Sequence, residues 1–235
     1  IFFDDTKISI KQLSHSLVSK AVLMSGINVN FENLGDKKIE SWCYKDGFKD
    51  YLFDSLNEDD LIIPTWNSKD FITKNNKDFN EGEGANWLLA FTSIGNVRES
   101  FVNLIPTSAG GTHESGFKEG VFIALKGFIE KQNLMVKGVK LITEDVFQRA
   151  SFILSTKILD PQFQGQTKER LSNRSAYKLI SFLVKEPFEL WLHNNIESGR
   201  ILAELSINSA QQRQQSQKKV ERKKSSSLSI LPGKL

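Results

Sequence analysis

The spacing of apolar residues predicts a chain that mixes α-helices and β-strands. Apolar residues recur every three or four positions over 8–24, which indicates a helix, and Gly26 stands where such a helix would end. Alternating apolar and polar residues over 27–31 and 39–44 predict a two-stranded hairpin. A short helix is expected next, over 48–56.

The middle of the chain predicts a sheet with helices between its strands. The strand pattern occurs near 71–72 and over 85–92, 99–105 and 152–158. Helical patterns cover 112–131 and 143–149. We predict Thr112 as the N-cap of the longer helix, because its hydroxyl can accept a hydrogen bond from a free N–H of the first turn. The preceding Gly110-Gly111 lacks the full pattern of a phosphate-binding loop, which favours a tight turn required by packing.

The last third of the chain predicts two long helices. Asn173 can cap the first, over 173–195, in which Pro187 must produce a kink or a restart. The second follows directly, and its apolar face fades into Gln and Lys beyond Ala210. We expect that end to project from the body as an exposed helix and to lead into a flexible linker at residues 225–227.

Composition narrows the class of protein. The chain has 235 residues, of which 39% are hydrophobic and 25% are charged, which suits one large or two small domains with a sizeable core. No apolar run is long enough to cross a membrane, and no secretory signal leads the chain. The single Cys43 excludes an internal disulfide framework and fits a reducing compartment. Since the chain starts at Ile1 rather than Met, we expect a piece of a longer protein.

Positive charge is concentrated near the C-terminus, although the net charge is only +3. Six cations stand there against one acid, Glu221: Arg213, Lys218, Lys219, Arg222, Lys223 and Lys224. One interpretation is a solvated helix exterior, since charged surface helices are common. We favour contact with the phosphates of DNA, which requires no particular base sequence.

Residue types that build free-standing active sites are scattered along the chain. His15, His113 and His193 lie far apart in sequence, and with one cysteine there is no metal-ligand spacing. No histidine-paired nucleophile is evident, and His113 is interpreted as a residue of a helix entry rather than a base. The residues alone therefore predict neither a metal site nor a complete catalytic centre.

One loop carries residues that suit a phosphate group. Asp160-Pro161 starts a turn, and Gly165 permits unusual backbone angles. Gln166 supplies an amide donor and Lys168 a mobile ammonium, two positions apart on one exposed loop. By itself this pair is a weak signal, because most surface lysines are only solvated.

Three stretches of the chain resemble one protein family and occur in that family's order. The run DPQFQGQTKERL, residues 160–171, resembles the QTK loop of the B subunits of bacterial type II topoisomerases. Residues 101–117 resemble the family's NxIPxxxGGTHxxGF segment, and LPGKL at 231–235 resembles the linker before its metal-binding Toprim domain. The resemblance covers essentially the whole chain.

The resemblance implies an α+β fold. Residues 46–205 would form the transducer domain, a ribosomal-protein-like two-layer sandwich with a left-handed βαβ crossover, which is an exception to the usual handedness. Residues 1–45 would be the last helix and hairpin of a nucleotide-binding domain of the gyrase, Hsp90, histidine-kinase and MutL (GHKL) type. Residues 206–235 would form a long basic helix and a linker toward a Toprim domain.

The resemblance also implies a role for the loop. In this family the lysine at the Lys168 position contacts the γ-phosphate of ATP and the glutamine at the Gln166 position assists. Lys168 is thus the implied catalytic residue, and both residues would bind the cofactor. The implied enzyme is an ATP-hydrolysing type II DNA topoisomerase that uses ATP and Mg²⁺ in the complete subunit. Because the main nucleotide-binding residues are expected upstream, this fragment alone is expected to be inactive.

The same resemblance implies partners and a location. The partners would be a DNA duplex, a topoisomerase A subunit in an A₂B₂ holoenzyme, and a second B subunit that dimerises when ATP binds. The location would be the bacterial cytoplasm, in association with the nucleoid and without membrane contact.

Two alternatives stay open. The loop and the stretch LWL at 190–192 are more similar to the topoisomerase IV branch, which decatenates and relaxes DNA, than to the gyrase branch, which supercoils it. The other alternative is a non-catalytic DNA-binding or interaction module, in which the loop is ordinary surface and the basic helix carries the whole function. Nucleotide-binding motifs in an upstream segment would decide between a module and an enzyme part.

Overall fold

The computed structural model describes residues 9–35, 37–74, 76–94 and 96–228, with side chains as far as Lys219. Its helices are α1 (Ile10–Leu23), α2 (Phe48–Phe53), α3 (Thr112–Lys131), α4 (Thr143–Phe147), α5 (Arg174–Asn194) and α6 (Ile196–Leu228), and a 3₁₀ turn covers Glu58–Asp60. Its strands are β1 (Val29–Asn33), β2 (Lys38–Trp42), β3 (Trp66–Phe71), β4 (Gly84–Phe91), β5 (Arg98–Val102), β6 (Ile105–Pro106) and β7 (Ala150–Lys157). The linker-like residues 231–235 lie outside the described residues.

The strands form a small hairpin and a larger mixed sheet. β1 pairs with β2, and the five-stranded sheet has the order β3-β4-β7-β5-β6. β4 runs antiparallel to β7, with Trp87 opposite Leu154 and Leu89 opposite Phe152. β5 and β7 run parallel, so the chain between them must cross over, and α3 and α4 lie in that connection. The left-handed sense expected for this crossover stays a prediction.

Alternation along β4 assigns the two faces of the sheet to different cores. Trp87 and Leu89 point to the face covered by α3, α5 and α6, whereas Leu88 and Ala90 point to the face covered by α1 and α2. Because side chains alternate in a strand, one continuous apolar run can serve both cores, which is why β4 is buried at nearly every position. α1, α2 and the β1-β2 hairpin therefore pack on one face of the sheet, and the long helices α3, α5 and α6 pack on the other.

Glycines let α3 and α5 approach backbone to backbone. A Cβ added to Gly116 would lie 2.4 Å from the carbonyl oxygen of Tyr177, and one added to Gly120 would lie 2.9 Å from that of Ser181. Both distances are shorter than ordinary van der Waals contact, so only glycine fits at these two positions. The two helices that flank the predicted phosphate-contacting loop are thus packed directly against each other.

The predicted strand over 99–105 is two strands, β5 and β6. The chain turns at Asn103 (φ 48°) and Leu104 (φ 65°), which both adopt left-handed backbone conformations. Asn103 stabilises this turn because its amide donates to the carbonyl of Ile158 at 2.6 Å and accepts from the N–H of Ile158 at 3.0 Å. Asparagine tolerates the left-handed region better than most residues, which explains the position of the break.

The prediction that Thr112 caps α3 is wrong. Gly111 is the N-cap, and Thr112 is the first helical residue. The Thr112 hydroxyl is buried without a hydrogen-bond partner among the described residues, while its backbone N–H donates to the carbonyl of Leu171. The helix start is therefore fixed by backbone pairing with a distant segment rather than by a local side-chain cap.

α5 lies within one residue of its predicted bounds at each end, whereas α6 runs further than predicted. Of the two outcomes predicted at Pro187, the restart is wrong because α5 is continuous through it, and the kink stays a prediction. Val184 and Phe188 are both fully buried on either side of the proline, and their burial offsets the lost hydrogen bond. α6 is helical to Leu228, so residues 225–227 continue the helix instead of forming a linker. Serine lowers helix stability by only a few tenths of a kcal/mol per residue, so it does not by itself end a helix.

Candidate phosphate-contacting loop and basic helix

The QTK loop, residues 160–171, lies in the connection between β7 and α5 and is closed at its base like a short hairpin. The N–H of Gln164 donates to the carbonyl of Arg170 at 2.8 Å, and the N–H of Ser172 donates to the carbonyl of Gln162 at 2.8 Å. The Ser172 hydroxyl donates to the same Gln162 carbonyl at 2.9 Å. These bonds hold the incoming and returning strands together and leave residues 165–169 as the tip.

The returning strand is also joined to the turn that precedes α3. The N–H of Leu171 donates to the carbonyl of Gly110, and the carbonyl of Leu171 accepts from the N–H of Thr112, both at 3.1 Å. Gly111 has φ 145°, and a Cβ there would lie 2.5 Å from the carbonyl oxygen of Leu171. The glycine pair therefore makes a tight turn against the loop, as its sequence predicted.

The tip presents both predicted phosphate-contacting residues to solvent. Gln166 and Lys168 are exposed, and neither side chain has a hydrogen-bond or ion-pair partner among the described residues. Gly165 (φ 81°) and Lys168 (φ 57°) both adopt left-handed backbone conformations. A left-handed lysine is uncommon and costs on the order of 1 kcal/mol, so the surrounding bonds must hold it in place. The tip thus offers an unpaired ammonium and an amide to an anion.

His113 lies in the first turn of α3, behind this contact, and is fully buried. Its Nε2 is 3.2 Å from the hydroxyl of Thr107, which in turn donates to the carbonyl of Ser100. Burial lowers the pKa of His113 to about 4, so the ring is neutral near pH 7. A neutral, enclosed ring fits the interpretation of a helix-entry residue rather than a base.

Arg213 contacts the body of the molecule instead of projecting from it. Its guanidinium binds the carboxylate of Asp145 through two hydrogen bonds of 2.8 and 2.9 Å, and it also donates to the carbonyl of Lys140 at 2.8 Å. The same carboxylate accepts from the N–H of Ile142 at 2.9 Å at the start of α4. Arg213 therefore joins α6 to α4, which its sequence position among six cations did not reveal.

The other predicted DNA-contacting cations lie beyond this junction on α6. Lys218 and Lys219 are exposed. Arg222, Lys223 and Lys224 stand on the helical backbone of α6, but their side chains lie outside the described residues. The structure thus separates Arg213, which has a carboxylate partner, from the cations that follow it.

Asn173 is a second residue whose contacts the sequence did not predict. It stands at the N-cap of α5 as expected, yet its side chain makes no capping hydrogen bond there. Its amide instead accepts from the N–H of Gln162 at 2.6 Å and donates to the carbonyl of Asp160 at 2.9 Å. The side chain therefore contacts the incoming strand of the QTK loop.

Neither a metal cluster nor a membrane-spanning helix occurs in the part of the chain that the structure describes. Those residues contain no group of three or more His, Cys, Asp and Glu side chains placed to hold a metal ion. Within the same residues, no helix combines the length and the apolar character needed to span a membrane.

Comparison with known proteins assigns the family. The family model described as DNA gyrase B matches residues 47–222, which is well over half of the 235 residues. The chain belongs to the DNA gyrase B family. The resemblance to the B subunits of bacterial type II topoisomerases, inferred from the QTK loop and the GGTH segment, is confirmed.

Curated members of this family match the whole chain but are much longer. The B subunit of DNA topoisomerase 4 from Escherichia coli (strain K12) is 43% identical over 236 residues, covering 100% of this chain and 36% of that protein. The B subunit of DNA gyrase from Helicobacter pylori (strain J99) is 32% identical over 243 residues, covering 100% of this chain and 30% of that protein. The chain thus spans about a third of the length of these relatives.

Solved structures of the gyrase B family confirm the predicted α+β fold. The topoisomerase IV ATP-binding domain of Francisella tularensis, in complex with a small-molecule inhibitor, has a TM-score of 0.72 and 32% identity, covering 90% of this chain and 56% of that one. The 43K ATPase domain of Thermus thermophilus gyrase B, in complex with an aminocoumarin, also has a TM-score of 0.72, at 22% identity, covering 93% of this chain and 58% of that one.

Proposed function

We propose that this chain is the part of a type II DNA topoisomerase B subunit that detects bound ATP and transmits its state to the DNA-handling parts of the enzyme. Lys168 is the residue that contacts the γ-phosphate, and Gln166 assists it. One observation carries the proposal: the tip of the QTK loop presents Lys168 to solvent without a partner among the described residues, while the base of the loop is hydrogen-bonded on both sides.

The chemistry of the tip fits a terminal phosphate. The ammonium of Lys168 is a compact charge on a flexible stem and binds phosphate as a point charge, whereas Gln166 adds a neutral hydrogen bond. When ATP is hydrolysed and the phosphate leaves, the charge that attracts Lys168 leaves as well. The loop therefore binds one nucleotide state better than the other, and differential binding of this kind can shift a domain equilibrium.

A lysine at the γ-phosphate also favours the hydrolysis itself. Charge on the transferred phosphoryl group is stabilised by a cation already in place. In the complete subunit, ATP would be held mainly by residues of the nucleotide-binding domain, and Mg²⁺ would neutralise part of the phosphate charge. Residues 1–45 are proposed to be the C-terminal end of that GHKL domain, residues 46–205 the transducer, and residues 206–235 a basic extension toward a Toprim domain.

Within the family we propose the topoisomerase IV branch. The topoisomerase 4 B subunits of E. coli and of Haemophilus influenzae are 43% and 42% identical to this chain, against 32% for the gyrase B subunit of H. pylori. The complete enzyme would then decatenate and relax DNA together with an A subunit, in an A₂B₂ assembly whose B subunits dimerise on ATP. A gyrase B subunit, which supports supercoiling, is the alternative.

The end of α6 is proposed to contact the DNA duplex. Lys218 and Lys219 are exposed, and Arg222, Lys223 and Lys224 extend the same helix. Lysine and arginine contacts to phosphates are independent of base sequence, as passage of any duplex requires. Arg213 also stays in this proposal, but its carboxylate partner Asp145 makes it the weakest candidate of the six.

The test is steady-state ATP hydrolysis by the complete B subunit. Lys168→Ala removes the γ-phosphate contact and is expected to lower kcat about 100-fold, in line with other transition-state donors. Lys178→Ala is the matched control, because Lys178 is an exposed lysine on the neighbouring α5 and its loss should leave turnover unchanged. The 235-residue chain alone should not hydrolyse ATP. Unchanged turnover in Lys168→Ala would contradict the proposal and favour a DNA-binding module without a catalytic role.

A further inference from the structure

Asn173 stands where asparagine normally caps a helix, but it does not do so here. Asparagine is among the favoured N-cap residues because its side-chain oxygen accepts from free N–H groups of the first turn. Asn173 is the residue before α5, yet its side chain makes no capping bond to that helix. Its two polar groups are directed to the QTK loop instead. The ordinary reason for an asparagine at this position therefore does not account for its contacts.

The Asn173 amide bridges Pro161. Its Oδ1 accepts from the N–H of Gln162 at 2.6 Å, and its Nδ2 donates to the carbonyl of Asp160 at 2.9 Å. Pro161 has no N–H of its own, so this three-residue segment has one backbone donor fewer with which to bond to the rest of the molecule. One side chain that both donates and accepts satisfies the backbone groups on either side of the proline. Aspartate could only accept, and alanine could do neither.

The bridge sets the direction in which the incoming strand approaches the tip. Two pairs of residues tie the incoming strand to the returning strand, Gln162 with Ser172 and Gln164 with Arg170. The returning strand is itself bonded to the turn before α3, through Leu171 with Gly110 and Thr112. Asn173 adds the bonds that tie the incoming strand to the start of α5. Asn173 directly precedes α5, and α5 packs against α3. Its side-chain amide therefore holds the loop in a fixed position relative to these two helices.

We infer that Asn173 is a positioning residue for ATP hydrolysis, which holds the incoming side of the QTK loop and, together with the bonds of the returning side to the turn before α3, fixes the angle at which the loop presents Lys168 to the γ-phosphate. The inference rests on the proposed function of Lys168 and deepens it. Asn173 itself would touch neither nucleotide nor metal. Its effect is geometric, and small misplacements of a catalytic group are costly because reaction requires a near-attack arrangement.

The experiment compares ATP hydrolysis by four forms of the complete B subunit: wild type, Asn173→Ala, Lys168→Ala and the double variant. Asn173→Ala is expected to lower kcat about tenfold with a smaller change in KM. The double variant is expected to equal Lys168→Ala, because a positioning residue has no effect once the group it positions is gone. Multiplied losses in the double variant, or wild-type turnover in Asn173→Ala, would overturn the inference.

A matched control separates positioning from general stability. Asn195 lies at the opposite end of α5 and also donates one side-chain hydrogen bond to backbone, to the carbonyl of Trp191 at 2.8 Å. Asn195→Ala should leave kcat unchanged. If Lys168→Ala itself had no effect, the proposed function would fail. If only Asn173→Ala had no effect, the positioning role would fail while the proposed function stood.

Hydrogen exchange provides a readout that is independent of activity. In the 235-residue chain, Asn173→Ala should speed exchange of the Gln162 amide at least about tenfold, because that amide loses its acceptor. Amides in the interior of α5 should keep their wild-type rates. Faster exchange along α5 would identify a helix-capping role and overturn the inference.

Discussion

The QTK loop and the far end of α6 are both exposed, but the body of the molecule holds them in different ways. Hydrogen bonds tie the base of the loop to itself, to the turn before α3 and to Asn173. Along α6, Arg213 binds Asp145, and Lys218 and Lys219 beyond it are exposed. The loop must bring one ammonium to one phosphate, so its backbone position is fixed by several hydrogen bonds. The helix needs only positive charge spread along a duplex, so its side chains do not require comparable positioning bonds.

The largest expected effect comes from breaking the contact between the loop and the turn before α3. Gly111→Ala places a Cβ 2.5 Å from the carbonyl oxygen of Leu171 and 2.6 Å from its nitrogen, at a φ of 145°. We expect the chain to lose about 3 kcal/mol of unfolding free energy through backbone strain and overpacking. Urea denaturation of the 235-residue chain measures this loss.

Gly138→Ala is the matched control for that substitution. Gly138 also has a positive φ, 81°, but nothing lies within 4 Å of an added Cβ. It should cost only the strain of a left-handed alanine, about 1 kcal/mol. Equal losses at both glycines would show that the contact with Leu171 has no special weight.

A smaller effect is expected from separating α6 from α4. Arg213→Ala leaves the carboxylate of Asp145, which is 3% exposed, without its guanidinium partner. Breaking a fully buried pair costs about 3–5 kcal/mol, but the Arg213 side chain is 27% exposed, so we expect about 2 kcal/mol. Lys218→Ala, measured in the same urea titration, should change stability by less than about 0.5 kcal/mol. Similar losses in the two variants would contradict the distinction between an anchoring and a free cation.

The smallest effect is expected from the exposed cations of α6, and it concerns binding rather than stability. Replacing Lys218 and Lys219 with Gln in the complete subunit should weaken DNA binding and lower the slope of log K against log salt by about 2. Fluorescence anisotropy with a labelled duplex between about 50 and 200 mM salt measures the slope. An unaltered slope would favour the solvated-surface interpretation of this helix.

Periodic patterns predicted the regular elements well. The helix predicted over 112–131 has those bounds, and the hairpin, the sheet strands and α5 lie within a few residues of their predicted positions. Such patterns record which side of an element is buried, and burial is the dominant favourable contribution to folding. The exposed position of Gln166 and Lys168 was predicted from a different signal, the turn-forming residues around them, and is confirmed.

Polar contacts between distant segments were not predictable from one sequence. Thr112 and Asn173 are both good capping residues, and the pattern assigned each of them to the nearest helix start. In the structure the N–H of Thr112 pairs with Leu171, and the amide of Asn173 bonds to Asp160 and Gln162. A hydroxyl or an amide can find several partners, and only the fold decides which is within reach. Arg213 was misjudged for the same reason, since Asp145 lies 68 positions away in sequence.

The backbone contact between α3 and α5 restricts how the protein can move. Shear between packed helices depends on interdigitated side chains that can change rotamers as the helices slide. At Gly116 and Gly120, α3 has no side chain to separate its backbone from the facing carbonyl groups of α5, so sliding would bring larger residues of α3 against those carbonyls. A displacement that starts at Lys168 is therefore expected to rotate α3 and α5 together as one rigid body.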